Sequence, residues 1–116
     1  MKMEKFVRDQ MPDVPAVTVR KNGSLSLNQK AVEEFNITEM TRASLHFDRS
    51  ESLLGIRPEE DAADPSAFRV SKEKDRTRVI SCQGFLKYCG IPYHNGSKVY
   101  KAEWNDEARM IVIKVS

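Results

Sequence analysis

The densest run of potential ligand-binding side chains is the stretch around SKEKDRTR, where Arg69, Lys72, Lys74, Arg76 and Arg78 gather about one turn. Cations projecting from a turn can contact phosphate oxygens, and each contact adds affinity and salt dependence. Arg20 and Lys21 flank an earlier turn and offer the same chemistry on a smaller scale. Glu73 and Asp75 interrupt the run, so it also reads as a solvated turn that pairs its own charges. Two other groups carry side chains capable of chemistry. Cys82 and Cys89 lie seven apart with His94 following, but their spacing fits no common zinc pattern and supplies no fourth ligand, so buried thiols are expected. Ser26, Ser44 and Ser81 stand in no nucleophile motif, and no glycine-rich phosphate cradle or carboxylate pair in an apolar setting occurs. The expectation is a protein that is not an enzyme and uses no cofactor and no metal.

The totals are consistent with a binding protein of one domain. The chain has 116 residues and is 40% hydrophobic, enough for one core. The longest apolar run, Met110–Ile113, is far shorter than the about 20 residues a membrane span needs. The N-terminal stretch lacks an apolar signal region, and a cytoplasmic location with free thiols is expected. Charge is unevenly spread. Residues 1–66 hold nine Lys/Arg against twelve Asp/Glu, and residues 67–116 hold ten against five, which together give the net +2. A basic second half is compatible with a polyanionic partner.

The elements that must position these residues follow from periodicity. Residues 1–15 form a polar N-terminal arm broken by Pro12 and Pro15. Ala16–Lys21 alternates as a half-buried strand, and Asn22-Gly23 predicts a two-residue hairpin turn with both residues at positive φ. Ser24–Leu27 returns as a strand, Asn28 is placed to cap a helix over Gln29–Phe35, and Asn36 to stop it. Arg42–Asp48 and Ser52–Arg57 read as a second hairpin. Residues 59–66, EEDAADPS, form an acidic linker. Beyond it the apolar register restarts: Phe68 and Val70 match Val17 and Val19, Val79 matches Leu25, Phe85, Leu86 and Cys89 match Ala31, Val32 and Phe35, Tyr100, Ala102 and Trp104 match Ala43, Leu45 and Phe47, and Ile111 and Ile113 match Leu54 and Ile56. The expected organisation is therefore a mainly β domain with short helices, built from two tandem β-β-α-β-β repeats, 16–58 and 67–116, that close one pseudo-symmetric barrel. The last strand, apolar on both faces, predicts a cover on its second face. Of the aromatics, Tyr100 and Trp104 should face the core, which leaves Tyr88 and Tyr93 as candidates for exposed rings.

The order strand, glycine turn, strand, short helix, strand, hairpin, strand over VTVRKNGSLSLNQKAVEEFNITEMTRASLHFDRSESLLGIRP resembles the AbrB/MazE/SpoVT swapped-hairpin β-barrels, and two such units on one chain are similar to the MraZ relatives. The family's Arg after Gly is Ser24 here and Arg78 in the second unit. Its Pro before the helix is Asn28 and Cys82. Its helix arginines fall on Val32 and Glu33, and on Leu86 and Lys87. What the resemblance implies is a cytoplasmic, prokaryotic or phage DNA-binding protein of the transcription-regulator type. It would contact phosphates of double-stranded DNA through Arg20, Lys21, Arg69, Lys72, Lys74, Arg76 and Arg78. The competing expectation is a non-enzymatic protein-interaction module or adaptor on the same fold. That module would pair with itself as a dimer, or with another protein, through Met110–Val115 or the acidic linker, and would not engage a membrane.

Overall fold

In the computed structural model, residues 14–59, 65–73 and 77–115 are described. The first two strands, β1 (Ala16–Val19) and β2 (Ser24–Leu27), meet at the Asn22-Gly23 turn. The turn is one residue longer than the sequence suggests. Gly23 N–H donates to Arg20 O at 2.9 Å and Arg20 N–H to Ser24 O at 2.8 Å, so Lys21, Asn22 and Gly23 form a three-residue loop. Only Gly23 adopts positive φ, at +86°. Asn22 instead uses its side-chain oxygen to accept from Ser24 N–H and Oγ–H, which favours the longer loop.

Asn28 then caps α1 (Gln29–Glu34) as its residue type predicts. Its Oδ1 accepts from Ala31 N–H at 2.9 Å and from Ala16 N–H at 3.0 Å, and its Nδ2 donates to Val14 O. One side chain thus ties the helix start to the start of β1. Asn36, at φ +53°, ends the helix, and Ile37 N–H closes onto Val32 O.

The remaining elements are β3 (Arg42–Asp48), β4 (Leu53–Pro58), β5 (Phe68–Glu73), β6 (Thr77–Ser81), α2 (Gln83–Cys89), β7 (Lys98–Asn105) and β8 (Met110–Lys114). The order β-β-α-β-β thus occurs twice along the chain. All eight strands close one antiparallel barrel in the order β1-β2-β6-β5-β3-β4-β8-β7. Replacing β1–β4 by β5–β8, one for one, returns the same circular order. The halves join through β2–β6 and β4–β8 across the middle, and through β1–β7 and β3–β5 at the flanks.

Inside the barrel, Val17, Val19, Leu25, Leu27, Leu54, Ile56, Ile80, Ile111 and Ile113 form one core, and Ala31, Val32, Leu86 and Cys89 close it from the helices. The alternation in β6 differs from the expected match by one residue. Ile80, not Val79, pairs with Leu25 and is fully buried, while Val79 faces out between Ser26 and Ser71. The cause lies at the strand end. Cys82 serves as the last inward residue and also as the residue before α2, so the second unit omits the separate cap that Asn28 provides, and Cys82 makes no side-chain cap bond.

Among the described residues no element covers the outer face of the last strand, where Met110 and Val112 are half-buried. Ile111 and Ile113 point inward, whereas Val112 lies on the outer surface between Gly55 and Glu103. The sulfur of Met110 lies where a Cβ on Gly55 would be. Both edges of β8 are paired, with β4 and β7, so Met110–Val115 offers no open edge for strand addition.

Gly23 is the position at which this fold has least latitude. An added Cβ would sit 2.8 Å from Gln83 Cβ and 3.1 Å from its Cα, at a φ that side chains disfavour. Gly23→Ala is expected to destabilise the protein by roughly 1–3 kcal/mol, read as a lower urea midpoint with unchanged slope.

Candidate nucleic-acid interface

The barrel register decides where the basic residues stand. β2 and β6 run antiparallel, with Ser24 opposite Ser81 and Leu27 opposite Arg78. The Lys21–Gly23 loop therefore lies at one end of this pair, and Thr77, with Glu73 opposite it, lies at the other.

Arg20 is committed within the protein. Its guanidinium runs along the outer face to Glu73, with Nη1 and Nη2 donating to the carboxylate at 3.0 and 2.8 Å and Nη2 also donating to Ser26 Oγ. The bidentate bond from Glu73 holds the Arg20 pKa above its ordinary value. This contact joins the base of the first basic turn to β5 and pairs the Arg20 cation with a carboxylate. Lys21 is exposed, and its backbone N–H donates to Ser97 Oγ at 3.3 Å.

Within the second turn, Lys74 and Arg76 lie outside the described residues. Lys72 is exposed. Arg78 departs from the expectation. Its inward position opposite Leu27 leaves it 2% exposed, with Nη2 donating to Thr38 O at 3.0 Å. Its Nε has no partner, and it forms no ion pair among the described residues. A guanidinium buried in this way ties the α1–β3 connection to β6 and does not face solvent where a phosphate would lie.

Arg69 stands in a setting that local sequence does not reveal. It lies on the outer face of β5 directly opposite Arg42 of β3. Arg57 of β4 lies opposite Ser44, the next outward residue after Arg42. Three guanidinium groups therefore share one outer wall across three adjacent strands, and none forms an ion pair among the described residues. Like charges facing each other across strands are destabilising. Arg42 and Arg57 were not singled out by sequence because they are isolated in the chain; only the β3–β5 and β3–β4 pairings bring them to Arg69.

The carboxylate next to this wall is Glu59, whose N–H donates to Arg42 O. Its Oε1 accepts from Ser44 Oγ–H at 2.9 Å. His46 Nε2 lies 2.8 Å from the same hydroxyl. Ser44 thus links Glu59 and His46 in one hydrogen-bonded group on the outer face.

No group of three or more metal-binding side chains occurs among the described residues. His94 stacks on Tyr93, with ring centroids 4.1 Å apart. Tyr93 is buried, contrary to the expectation of an exposed ring, whereas Tyr88 is 76% exposed. Tyr100 and Trp104 are half-buried against the core, as the pattern predicts. Cys82 and Cys89 are buried free thiols. Burial pushes Cys82 up to about 12, with the neighbouring Cys89 adding to the effect. Burial raises Cys89 as well. No helix among the described residues is long and apolar enough to cross a membrane.

Comparison with protein-family models, curated proteins and solved structures finds no match for this chain.

Two outcomes follow. Arg78→Met should leave stability unchanged or raise it, because replacing an unpaired buried charge by an apolar side chain removes a desolvation cost; thermal melting reads this. The thiols should resist iodoacetamide at pH 8 in the native state and react fully in denaturant. Since the folded pKa of Cys82 lies above the unfolded value, its contribution to stability is present below about pH 9 and lost as pH rises towards 12.

Proposed function

We propose that this protein is not an enzyme but a double-stranded DNA-binding protein, of the transcription-regulator type that AbrB-like barrels exemplify, and that it grips phosphates with the wall formed by Arg42, Arg57 and Arg69. The observation that carries this reading is the direct cross-strand pairing of Arg42 with Arg69, with Arg57 beside them and no ion pair to any of the three among the described residues. An arrangement that costs stability in the free protein gains when an anion bridges the two guanidinium groups. Arginine is suited to this because its planar fork binds phosphate oxygens in pairs.

A closed barrel supplies the rigidity such a site needs. The three arginines project from strands hydrogen-bonded to each other, so their spacing is set by the sheet and not by a loop. Lys72 is exposed but alternates to the face opposite Arg69, so it is not part of this wall. Contacts of this kind fix position on a duplex without reading its sequence.

The test is a fluorescence-anisotropy titration of duplex DNA against the wild type and an Arg42→Ala/Arg69→Ala variant across salt concentrations. The wild type should bind at low salt, with log K falling linearly as log salt rises. The double variant should bind more weakly, with a slope shallower by about 0.9 per phosphate contact removed. It should also melt higher, by on the order of a few tenths of a kcal/mol, because a like-charged pair is gone. Absence of binding at low salt, or equal binding by the two proteins, overturns the reading.

A further inference from the structure

A second site lies between the α1–β3 connection, the end of β4 and β7. A cleft of about 540 Å³ opens there, floored by Phe35, Met40 and Trp104 and rimmed by Glu39, Glu59 and Arg109. Phe35 and Trp104 lie with ring centroids 6.0 Å apart and planes inclined by 32°. Both rings are half-buried, so part of each faces the cleft. Glu39 is exposed, and among the described residues neither Glu39 nor Glu59 forms an ion pair. Glu59 accepts one hydrogen bond, from Ser44, and a carboxylate can accept several.

The other half of the barrel indicates what such a site accepts. Phe47 of β3 holds the place that Trp104 holds in β7. Each is the last inward residue of its strand, and each pairs with the first inward residue of the strand that follows, Leu54 or Ile111. Over Phe47 the chain lays its own cation. The Arg49 guanidinium is 5.5 Å from the Phe47 centroid and 5.4 Å from that of Tyr88, and it donates to Tyr88 O at the end of α2. At the corresponding place beyond Trp104 the chain has Asp106, whose carboxylate accepts from Trp104 Nε1–H at 3.1 Å. Among the described residues no cation covers either Trp104 or Phe35. One half thus fills its aromatic site with a guanidinium, while the other leaves a better cation-binding ring open and surrounds it with carboxylates.

We infer that this cleft binds an arginine side chain presented by a peptide segment of another protein. The guanidinium would lie over Trp104 and Phe35 and pair with Glu39 and Glu59. Arg109, on the β7–β8 turn, has no ion pair among the described residues and provides donors for the peptide's backbone carbonyls. This site is separate from the DNA-binding wall in chemistry and in sign of charge, although Glu59 lies between them. A protein with both would bind a duplex on one surface and a basic segment of a partner on the next.

The chain has a single tryptophan, so its emission reports on this cleft alone. Titration of the full-length protein with acetyl-Gly-Arg-Gly-amide should give a saturable change in Trp104 fluorescence that weakens as salt is raised. The glutamate counterpart and the all-glycine peptide should give none. A Glu39→Gln/Glu59→Gln variant, shown to be folded by its circular dichroism and melting, should lose the response to the arginine peptide. Equal responses to all peptides, no saturable response, or an unchanged response in the variant each overturn the inference. A response only to the glutamate peptide also overturns it, and assigns the cleft to Arg109. Duplex-DNA titration of the same variant is read independently, so failure of one proposal does not decide the other.

Discussion

The structure depends on barrel closure. A half of this chain, with four short strands and one helix, has too little apolar surface to enclose its own faces. The β2–β6 and β4–β8 pairings solve this by placing Leu25 against Ile80, and Leu54 and Ile56 against Ile113 and Ile111. Every described strand then has two neighbours, and among the described residues no sheet edge is left for another chain to pair with. The same closure makes the outer surface rigid enough to hold charges at fixed spacing. Separate polar contacts fix the elements locally. Asn28 anchors β1 to α1, Arg20 bridges to Glu73 of β5, and Arg42 is held by its place in β3.

Much of the fold was legible in the sequence because its signals are local. The alternation of Val17 and Val19, the cap at Asn28 and the left-handed stop at Asn36 each depend on neighbours a few residues away. The order of strands and helices along the chain also followed from the apolar register. The register was misread at β6, where Cys82 combines two roles that Leu27 and Asn28 divide. A pattern of alternating apolar residues cannot show which of two adjacent positions, Val79 or Ile80, is the inward one when a cap is missing. The turn at Asn22-Gly23 was placed correctly but given the wrong geometry, because the Asn22 side chain competes with the backbone for Ser24.

The candidate site was less legible, for a reason of the same kind. A run of cations is visible in sequence, but its usefulness depends on what each side chain meets across the barrel. Arg20 meets Glu73, and Arg78 points inward. Arg69 meets Arg42, which is distant in sequence and unremarkable in composition. The wall of three arginines is a product of strand order, so no local motif announces it. The open cleft at Trp104 is likewise visible only beside its filled counterpart at Phe47 and Arg49.

The most direct test of the account follows the arginine side chains themselves. Nitrogen-15 labelled protein, titrated with duplex DNA, allows the arginine Nε–H signals to be followed one by one in an NMR spectrum. The signals of Arg42, Arg57 and Arg69 are expected to shift together and saturate, while those of Arg20, held by Glu73, and buried Arg78 stay in place. Shifts confined to Arg20 and the Lys21–Gly23 loop, or no shift at any arginine at low salt, would contradict it.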